Sequence, residues 1–534
     1  MRTPPLLALF AAALALAGCG GQGHRPACPT GQVCLEYGNN SEPLTLDPQK
    51  SNLTDEFTII GDLIVGLTTD APDGAPTPGM ATSWETSQDG LTWTFHLRDA
   101  QWSDGVPVTA DDFVYAYRRI LDPHTASIYA YLVYILKNGQ AVNEGKAPPQ
   151  ALGARAVDAH TLELTLEHPA PYLPELAKHQ SFFPVPRHAI EKYGDAWVRP
   201  GRFVGNGPFK LVSWSLGDKI QVAKNPRFWD AAHVCVDRIN YYPTPDLVSA
   251  ERRVQRGELD INTSFLSNRL QHMNQVMPGY ARPHVSLATS YLAFNTHDRG
   301  PLQDIRVRRA LSEAIDRDFI TAKLMRAGQV PAYSFVPPGT AHYPRGARLR
   351  WASEPFVQRQ IEAKALLAQA GFTAGHPLKL EIKTQNATDA LLLSEAVQAD
   401  WRAIGVDATI AQNETQIAFA AYRNRDFQVA TVSWYADFND PVTFLGLLKS
   451  DTGAQNYGDY RSAAYDALLL QADQEPDEAK RAQILARAEQ TMLDDEGLAP
   501  IYFIVNRNIV SPKITGWVAN SENFHRARWL CVRR

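Results

Sequence analysis

Helical and strand periodicities alternate along the C-terminal half of the chain. Two of the predicted helices end at a glycine, Gly371 and Gly405, as helices commonly do. Helices that alternate with strands in this way indicate an α/β core. The helices, each with the strand that follows it, are 361–370 with 378–383, 391–404 with 406–410, and 477–494 with 501–505.

The N-terminal half has a different pattern. Between Trp84 and Trp102, short segments alternate: Trp93, Phe95 and Leu97 face one way and the polar residues between them the other, which predicts antiparallel sheet. The capping box Thr109–Asp112 predicts a helix that ends at Asp122–Pro123. Asp304 is positioned to cap another helix.

The first residues have the pattern of an export signal. Arg2 precedes an unbroken apolar run, Leu6 to Ala17, which is too short to span a bilayer. The run ends in Leu16-Ala17-Gly18-Cys19, which resembles the bacterial lipobox and implies cleavage before Cys19 and lipid attachment to its thiol. We therefore predict a signal peptide at 1–18 and a linker at 19–29. The protein would be exported and anchored to a membrane through Cys19.

Four further cysteines remain, and an exported protein meets an oxidising compartment. Cys28 and Cys34 enclose a short loop, so we predict one disulfide there and a second between Cys235 and Cys531. Free buried thiols are the alternative. A metal site is not expected, because neither Cys-x-x-Cys nor clustered histidines accompany these residues.

Charge and motifs exclude several function classes. The 534 residues carry a net charge of −5, which disfavours a nucleic-acid partner. Established catalytic signatures are missing, and the G-x-G-x-x-G match at 18–23 lies in the linker with no strand before it. We therefore predict a non-enzymatic protein without a cofactor, in which the abundant aromatic residues (10 %) line either a core or a binding cleft.

Several stretches resemble one protein family when they are taken together and in order. They are Glu42–Pro48, Trp93–Arg98, Trp102–Tyr115, Gly205–Leu211, Asp304–Leu311 and Ala314–Asp318. The chain resembles the extracellular solute-binding proteins of family 5 (cluster C), of the oligopeptide-binding type that feeds an ABC importer. The similarity runs from about Leu35 to the C-terminus.

This resemblance implies an α/β, type II periplasmic-binding-protein fold with two lobes, a hinge and a third, flanking α+β domain. The expected bounds are 30–64, 189–288 and 505–534 for a discontinuous lobe I, 65–188 for the flanking domain, and 289–504 for lobe II. Cys235 and Cys531 then fall in one lobe, which supports their pairing.

The resemblance also implies a site. Members of the family bind an extended peptide between the lobes, and an Asp in a Trp-x-Ala-Asp-Tyr-Asn-like motif pairs with its α-ammonium. Here the match is Trp434–Asn439, so Asp437 is the expected partner, and a turn or strand-end cap is the alternative. The other expected ligand-binding residues are Ser433 and Tyr435 through their backbone, Trp434 as a pocket wall, Tyr129, and the segment Asn52, Leu53 and Thr54 across the cleft.

The family's basic partners for the ligand carboxylate are not matched. Thr431 occupies one such position, and Asp389 or Ala390 another. An aromatic residue expected near Glu414–Thr415 is also missing. The ligand would then be longer or modified at that end, as in a cell-wall peptide. Candidate replacement cations are Lys323, Arg326, Arg423 and Arg425.

Two other function classes stay open. One is a binder of nickel complexes, haem or a sugar on the same scaffold, of which the nickel or haem site would present His or Arg to the cleft. The other is an exported hydrolase, which would need a nucleophile, a base and an orienting acid in one pocket. The main hypothesis is a monomeric periplasmic or cell-envelope lipoprotein that delivers short peptides to ABC transporter permease domains. Gly20 after Cys19 leaves both inner and outer membrane anchoring open.

Overall fold

The computed structural model describes residues 25–297, 300–343 and 346–533. The predicted signal peptide and Cys19 therefore lie outside the described residues. The strands, in chain order, are β1 Cys34–Gly38, β2 Thr68–Asp70, β3 Pro76–Pro78, β4 Ala81–Thr86, β5 Thr92–Leu97, β6 Ala154–Asp158, β7 Thr161–Thr165, β8 Phe209–Ser215, β9 Lys219–Lys224, β10 Arg238–Tyr242, β11 Ile261–Asn262, β12 Ala281–Phe294, β13 Val330–Pro331, β14 Lys379–Gln385, β15 Asp407–Asn413, β16 Val429–Tyr435, β17 Leu498–Val510, β18 Ile514–Thr515 and β19 Cys531–Val532.

Helices cover the large sheet and separate its strands along the chain. They are α1 Thr54–Leu63, α2 Ala110–Ile120, α3 Gly139–Asn143, α4 Leu173–Leu176, α5 Arg187–Tyr193, α6 Leu247–Gln255, α7 Leu270–Val276, α8 Ile305–Glu313, α9 Arg317–Phe319, α10 Phe356–Gln369, α11 Thr388–Ala403, α12 Thr415–Arg423, α13 Val442–Leu445, α14 Ala463–Asp473 and α15 Glu478–Asp494.

One long mixed sheet connects the two halves of the molecule. Its strand order is β15-β14-β16-β12-β17-β11-β1-β10-β9-β8, with β13 beside β17. The long antiparallel strands β12 and β17 run through both halves, and their register shifts between Val285 and Thr289. On one side of this shift β17 pairs with β11, and on the other side β12 pairs with β16. These two strands are therefore the connection between the lobes.

The half of the sheet built on β14, β15 and β16 is covered on both faces. Tyr291 belongs to one core cluster and its neighbour Leu292 to another, because successive side chains of a strand point to opposite faces. The Tyr291 side packs against α14 and α15 residues such as Tyr465, whereas the Leu292 side packs against α8 and α11 residues such as Trp401. A sheet covered on both faces matches the near-continuous burial of β12 from Ser286 onward.

The other half of the sheet and a separate antiparallel sheet have cores of their own. Leu35, Ile60, Ile239 and Leu530 contribute to one core, which gathers residues from both ends of the chain. The sheet β4-β5-β7-β6 packs with α2 around another core, in which Trp93, Phe95 and Leu97 are buried as the alternation predicts. This second body flanks the first.

Most predicted elements are confirmed, and two of them extend five residues beyond a predicted bound. The helix predicted at 361–370 begins earlier, at Phe356, directly after Pro355. The strand predicted at 501–505 continues to Val510, because its polar residues Asn506 and Asn508 are hydrogen-bonded by the segment 521–523 rather than exposed to solvent. The capping box Thr109–Asp112 is present at the start of α2.

Two disulfides close the lobe that contains β1. Cys28 is joined to Cys34, and Cys235 to Cys531, with Cα–Cα distances of 5.8 and 5.4 Å. The second links residues that are 296 positions apart, so it fastens the C-terminal strand β19 to the segment before β10. Within the described ranges, the helices are all too short or too polar to span a bilayer.

Candidate ligand-binding cleft

Strand β16 has one paired edge and one edge that becomes free near its end. It pairs with β12 over its whole length, from Val429 to Tyr435. On its other side the ladder to β14 contains Val429 and Ala430 and then stops. At the next residue, the Thr431 carbonyl accepts a hydrogen bond from the Tyr422 hydroxyl. The backbone edge from Val432 to Tyr435 then has no strand partner within the described part of the chain. A free strand edge in a cleft is suited to an extended ligand.

Asp437 follows this open edge directly. Its backbone N–H donates to Thr443 Oγ1 at 3.0 Å, and Ala436 N–H donates to the Leu287 carbonyl at 2.8 Å, so the carboxylate is held at a fixed place. The Tyr131 hydroxyl donates to Asp437 Oδ2 at 2.8 Å. Asp437 has no ion-pair partner among the described residues. Desolvation raises the pKa of Asp437 to about 6, although the Tyr131 hydrogen bond opposes this rise.

The carboxylate that directly follows this motif has a different environment. Asp440 is fully buried and forms a bidentate ion pair with Arg481, with N–O distances of 2.7 and 2.9 Å. Arg481 also lies 4.8 Å from the ring centroid of Tyr172, which stacks on Phe438. These contacts hold the turn after Asp437 in place. Asp440 is therefore structural, whereas the Asp437 carboxylate is left without a cation.

A cavity of about 280 Å³ lies in front of Asp437. Its charged walls are predominantly acidic: Asp55, Asp437 and Glu522 face it together with one arginine, Arg507. His179 also lines it, but burial lowers the pKa of this imidazole to about 3, so it is neutral at physiological pH. Such a surplus of carboxylates favours a cationic group.

Aromatic side chains form the wall of this cavity on the side of the flanking body. Tyr129 lies against Tyr131 and His179, with ring-centroid distances of 6.1 and 5.1 Å, and Phe57 packs on Tyr129 at 6.0 Å. Tyr435, on the facing strand, exposes 55 % of its surface. An exposed aromatic ring opposite a buried aromatic cluster leaves an apolar face for a ligand to cover.

A second cavity of about 300 Å³ runs along the free edge of β16. Thr431, Val432, Ser433 and Tyr435 form this side, and the start of α11 forms the opposite one. Tyr435, Val505 and Arg507 line both cavities, so the two are adjacent. Together they provide a continuous space alongside an unpaired strand edge.

The structure brings together most of the residues expected at the site. Asn52, Thr54, Tyr129, Tyr435 and Asp437 line the first cavity, and Ser433 lines the second.

Two expected residues do not line either cavity. Leu53 is the N-cap of α1, where its N–H donates to the Glu56 carboxylate and its carbonyl accepts helical N–H groups. The N–H of Asn52 also donates to Glu56, at 2.8 Å, so this donor is already occupied. Trp434 instead packs partly buried against the core around Tyr291.

The four basic residues suggested as replacement cations lie elsewhere. Arg425 pairs with Asp459 at 3.0 Å, and Arg326 lines a separate cavity with Asn268. Lys323 and Arg423 are exposed and belong to neither cleft cavity. These suggestions are wrong as far as the two cleft cavities are concerned.

Sequence reasoning missed two side chains of the cleft. Tyr131 reaches Asp437 from a position 306 residues away, which no local pattern reports. Arg507 lies inside strand β17, beyond the predicted end of that strand at 505. The apolar residues Ile509 and Val510 follow Arg507 in the sequence. They could have indicated that the strand continues and that Arg507 is a charged residue within it.

Comparison with known proteins agrees with this architecture. Residues 75–456 match a family model described as bacterial extracellular solute-binding proteins, family 5 Middle. The periplasmic oligopeptide-binding protein OppA of Salmonella typhimurium is 38 % identical over 491 residues, which cover 90 % of this chain and 89 % of the relative. The periplasmic murein peptide-binding protein MppA of Escherichia coli is 36 % identical over 503 residues, with 92 % and 93 % covered.

A solved structure shows the same fold. The structure of the Escherichia coli murein tripeptide binding protein MppA superposes with a TM-score of 0.85 at 34 % identity, over 94 % of this chain and 99 % of that one. The predicted type II fold, with two lobes, a hinge and a flanking domain, is thereby confirmed. The two strands that connect the lobes and the cleft between the lobes agree with these matches, which extend over nearly the whole described chain. The protein belongs to the bacterial extracellular solute-binding proteins of family 5.

Proposed function

We propose that this protein captures short peptides with a free N-terminus in the interlobe cleft and delivers them to the permease of an ABC importer. One observation carries the proposal: Asp437 is a desolvated carboxylate at the end of an open strand edge, without a cation. An α-ammonium supplies the missing charge, because a carboxylate shielded from water is stabilised by a cation that pairs with it.

The open edge of β16 supplies the second part of the proposed site. A peptide that extends from Asp437 along Val432–Tyr435 enters the second cavity and pairs with free backbone groups. Main-chain pairing gives affinity without selecting a sequence, and the cavity walls then select side chains. Tyr435 and Tyr129 provide apolar surface on both sides of the ligand.

Calorimetry with matched peptides tests this function. Short peptides with a free N-terminus and their N-acetylated twins are titrated into the purified protein after removal of co-purified ligand. Acetylation is expected to weaken binding at least about 100-fold, because it leaves Asp437 desolvated and unpaired. Equal affinity for both twins would reject the proposal.

The variant Asp437→Asn tests whether the loss of affinity on acetylation depends on this residue. It keeps the shape of the side chain and removes its charge, so acetylated and free peptides should bind it with similar, weak affinity. Asp426→Asn is the matched control, because Asp426 is 83 % exposed and pairs with Lys383 at the surface. This control should bind like the wild type.

The cellular context is proposed on the same basis. The relatives named above are periplasmic, which supports export of this protein. The lipobox-like end of the leader supports cleavage before Cys19 and attachment of lipid there. The separate cores support the predicted bounds of lobe I, the flanking domain and lobe II. Metabolic labelling with a fatty acid, lost in Cys19→Ala, tests the lipid attachment.

A further inference from the structure

We propose that Arg507 binds an acidic group of the ligand in the second cavity. This inference rests on the proposed function, since it concerns a second charged group of a ligand that occupies the same cleft. It assigns a carboxylate partner in a chain where the family's basic positions are occupied by Thr431 and by Asp389 or Ala390.

Arg507 is placed where the ligand passes from one cavity into the other. It lines both of them, and its side chain keeps 19 % of its surface exposed. It is also the basic residue that both cavities share within the described residues. An acidic group of a ligand along the β16 edge therefore meets this guanidinium and no other cation of the cavity walls.

The guanidinium is oriented but not saturated. Arg507 Nη1 donates to Asp389 Oδ2 at 2.9 Å, and this is its one hydrogen bond within the part of the chain that the structure describes. A guanidinium has five N–H donors in a planar fork, so its remaining donors can receive a carboxylate in a bidentate arrangement. Asp389 thus positions Arg507 without occupying it fully.

Asp389 is itself held by the opposite lobe. Its Oδ1 accepts from Ser267 Oγ at 2.9 Å, while its Oδ2 accepts from Arg507. Asp389 lies at the start of α11, whereas Ser267 precedes α7 on the far side of the hinge. The carboxylate that orients Arg507 is therefore itself held by a hydrogen bond from the opposite side of the cleft.

Two groups of a peptide can supply the acidic group: its C-terminal carboxylate or an acidic side chain. A set of peptides distinguishes between them. One arm compares a neutral tetrapeptide as free acid and as C-terminal amide. The other compares two amidated tetrapeptides that contain Glu or Gln at the third position. In at least one arm, loss of the carboxylate should weaken binding to the wild type about 10- to 100-fold.

The variant Arg507→Gln should abolish this difference. Its affinity for the acidic peptide should fall to that for the neutral one, whereas Arg507→Lys should restore part of the discrimination because it keeps the charge. Arg155→Gln is the matched control, since Arg155 forms a comparable pair with Glu163 on the exposed flanking sheet. Unchanged discrimination in Arg507→Gln, or none in the wild type in either arm, would overturn the proposal and leave Arg507 a cross-lobe contact.

N-acetylated versions of the same peptides test the role of Asp437 independently of the role of Arg507. A strong acetylation effect without any Arg507-dependent acid effect rejects the role of Arg507 alone. An Arg507-dependent acid effect without an acetylation effect rejects the role of Asp437 alone. Circular dichroism and thermal unfolding of each variant establish that the measured protein is folded.

Discussion

The hydroxyl of Tyr131 donates a 2.8 Å hydrogen bond to the carboxylate of Asp437 across the cleft. Tyr131 belongs to the flanking body, and Asp437 follows a strand of the opposite lobe. The bond stabilises the ionised carboxylate but supplies no charge, so the pKa of Asp437 remains raised, at about 6. This single contact links the cleft geometry to the pH dependence of binding.

Peptide affinity should depend on pH in two ranges. Binding requires ionised Asp437, so affinity should be constant between about pH 7 and 8 and fall about tenfold per pH unit below pH 6. It should fall again above about pH 8, where the peptide ammonium loses its proton. Calorimetry between pH 4.5 and 9 measures this profile.

Glu522 also faces the first cavity, and burial raises its pKa to about 7 beside Lys178. The Asp437→Asn variant separates the two carboxylates, because it should lose the fall below pH 6 and keep any part that belongs to Glu522. A wild-type profile that stays flat down to pH 5 contradicts the role assigned to Asp437.

Removing the Tyr131 hydroxyl should move this profile. Tyr131→Phe deletes a hydrogen bond that favours the ionised carboxylate, so the pKa of Asp437 should rise above about 6. The acidic midpoint of peptide affinity should then shift upward, while affinity at pH 8 changes little. Tyr134→Phe is the control, since the Tyr134 hydroxyl bonds to Asn143 instead. An unchanged midpoint would show that the Tyr131 hydroxyl does not affect the pKa of Asp437.

The ligand-free protein should gain stability when Asp437 is neutralised. Because its pKa is raised in the folded state, the ionised carboxylate destabilises the fold above pH 6, and this effect disappears as the pH falls below the ordinary value near 3.8. Asp437→Asn should therefore increase the free energy of unfolding at pH 7.5 by on the order of 1–2 kcal/mol. Urea unfolding at pH 7.5 and 4 checks this: most of the gain should be lost at the lower pH.

The neighbouring carboxylate should behave in the opposite way. Asp440→Asn leaves the buried Arg481 without its bidentate partner and should destabilise the protein by about 3–5 kcal/mol. Asp494→Asn is the matched control, because the Arg350–Asp494 pair is exposed and should contribute less than about 1 kcal/mol. Equal unfolding midpoints for the two variants would contradict the structural role of Asp440.

The two disulfides should differ in their contribution to stability. Closing a longer loop removes more entropy from the unfolded chain, and the Cys235–Cys531 loop spans 296 positions against six for Cys28–Cys34. Replacing both cysteines of the long loop by alanine should lower the free energy of unfolding by about 4–5 kcal/mol, and those of the short loop by about 2 kcal/mol. Denaturant unfolding of the two double variants measures this, and a larger loss from the short loop would contradict it.

Much of the fold could be predicted because its elements have local causes. The capping box at Thr109 and the glycines after 369 and 403 mark helix ends through backbone groups that are near in sequence. Strand β17 was predicted too short because Asn506 and Asn508 find their partners in a distant segment.

The sequence by itself determined the elements, the two-lobed family and Asp437, since these depend on neighbours along the chain and on a motif of six residues. Only the tertiary structure decided which side chains meet Asp437 and which cation lines both cavities of the cleft. Tyr131 and Asp437 are 306 positions apart, and Asp389 and Arg507 are 118 apart. Such pairs form because separate parts of the fold meet at the cleft, and periodicity within one element reports burial but not its partner across the cleft.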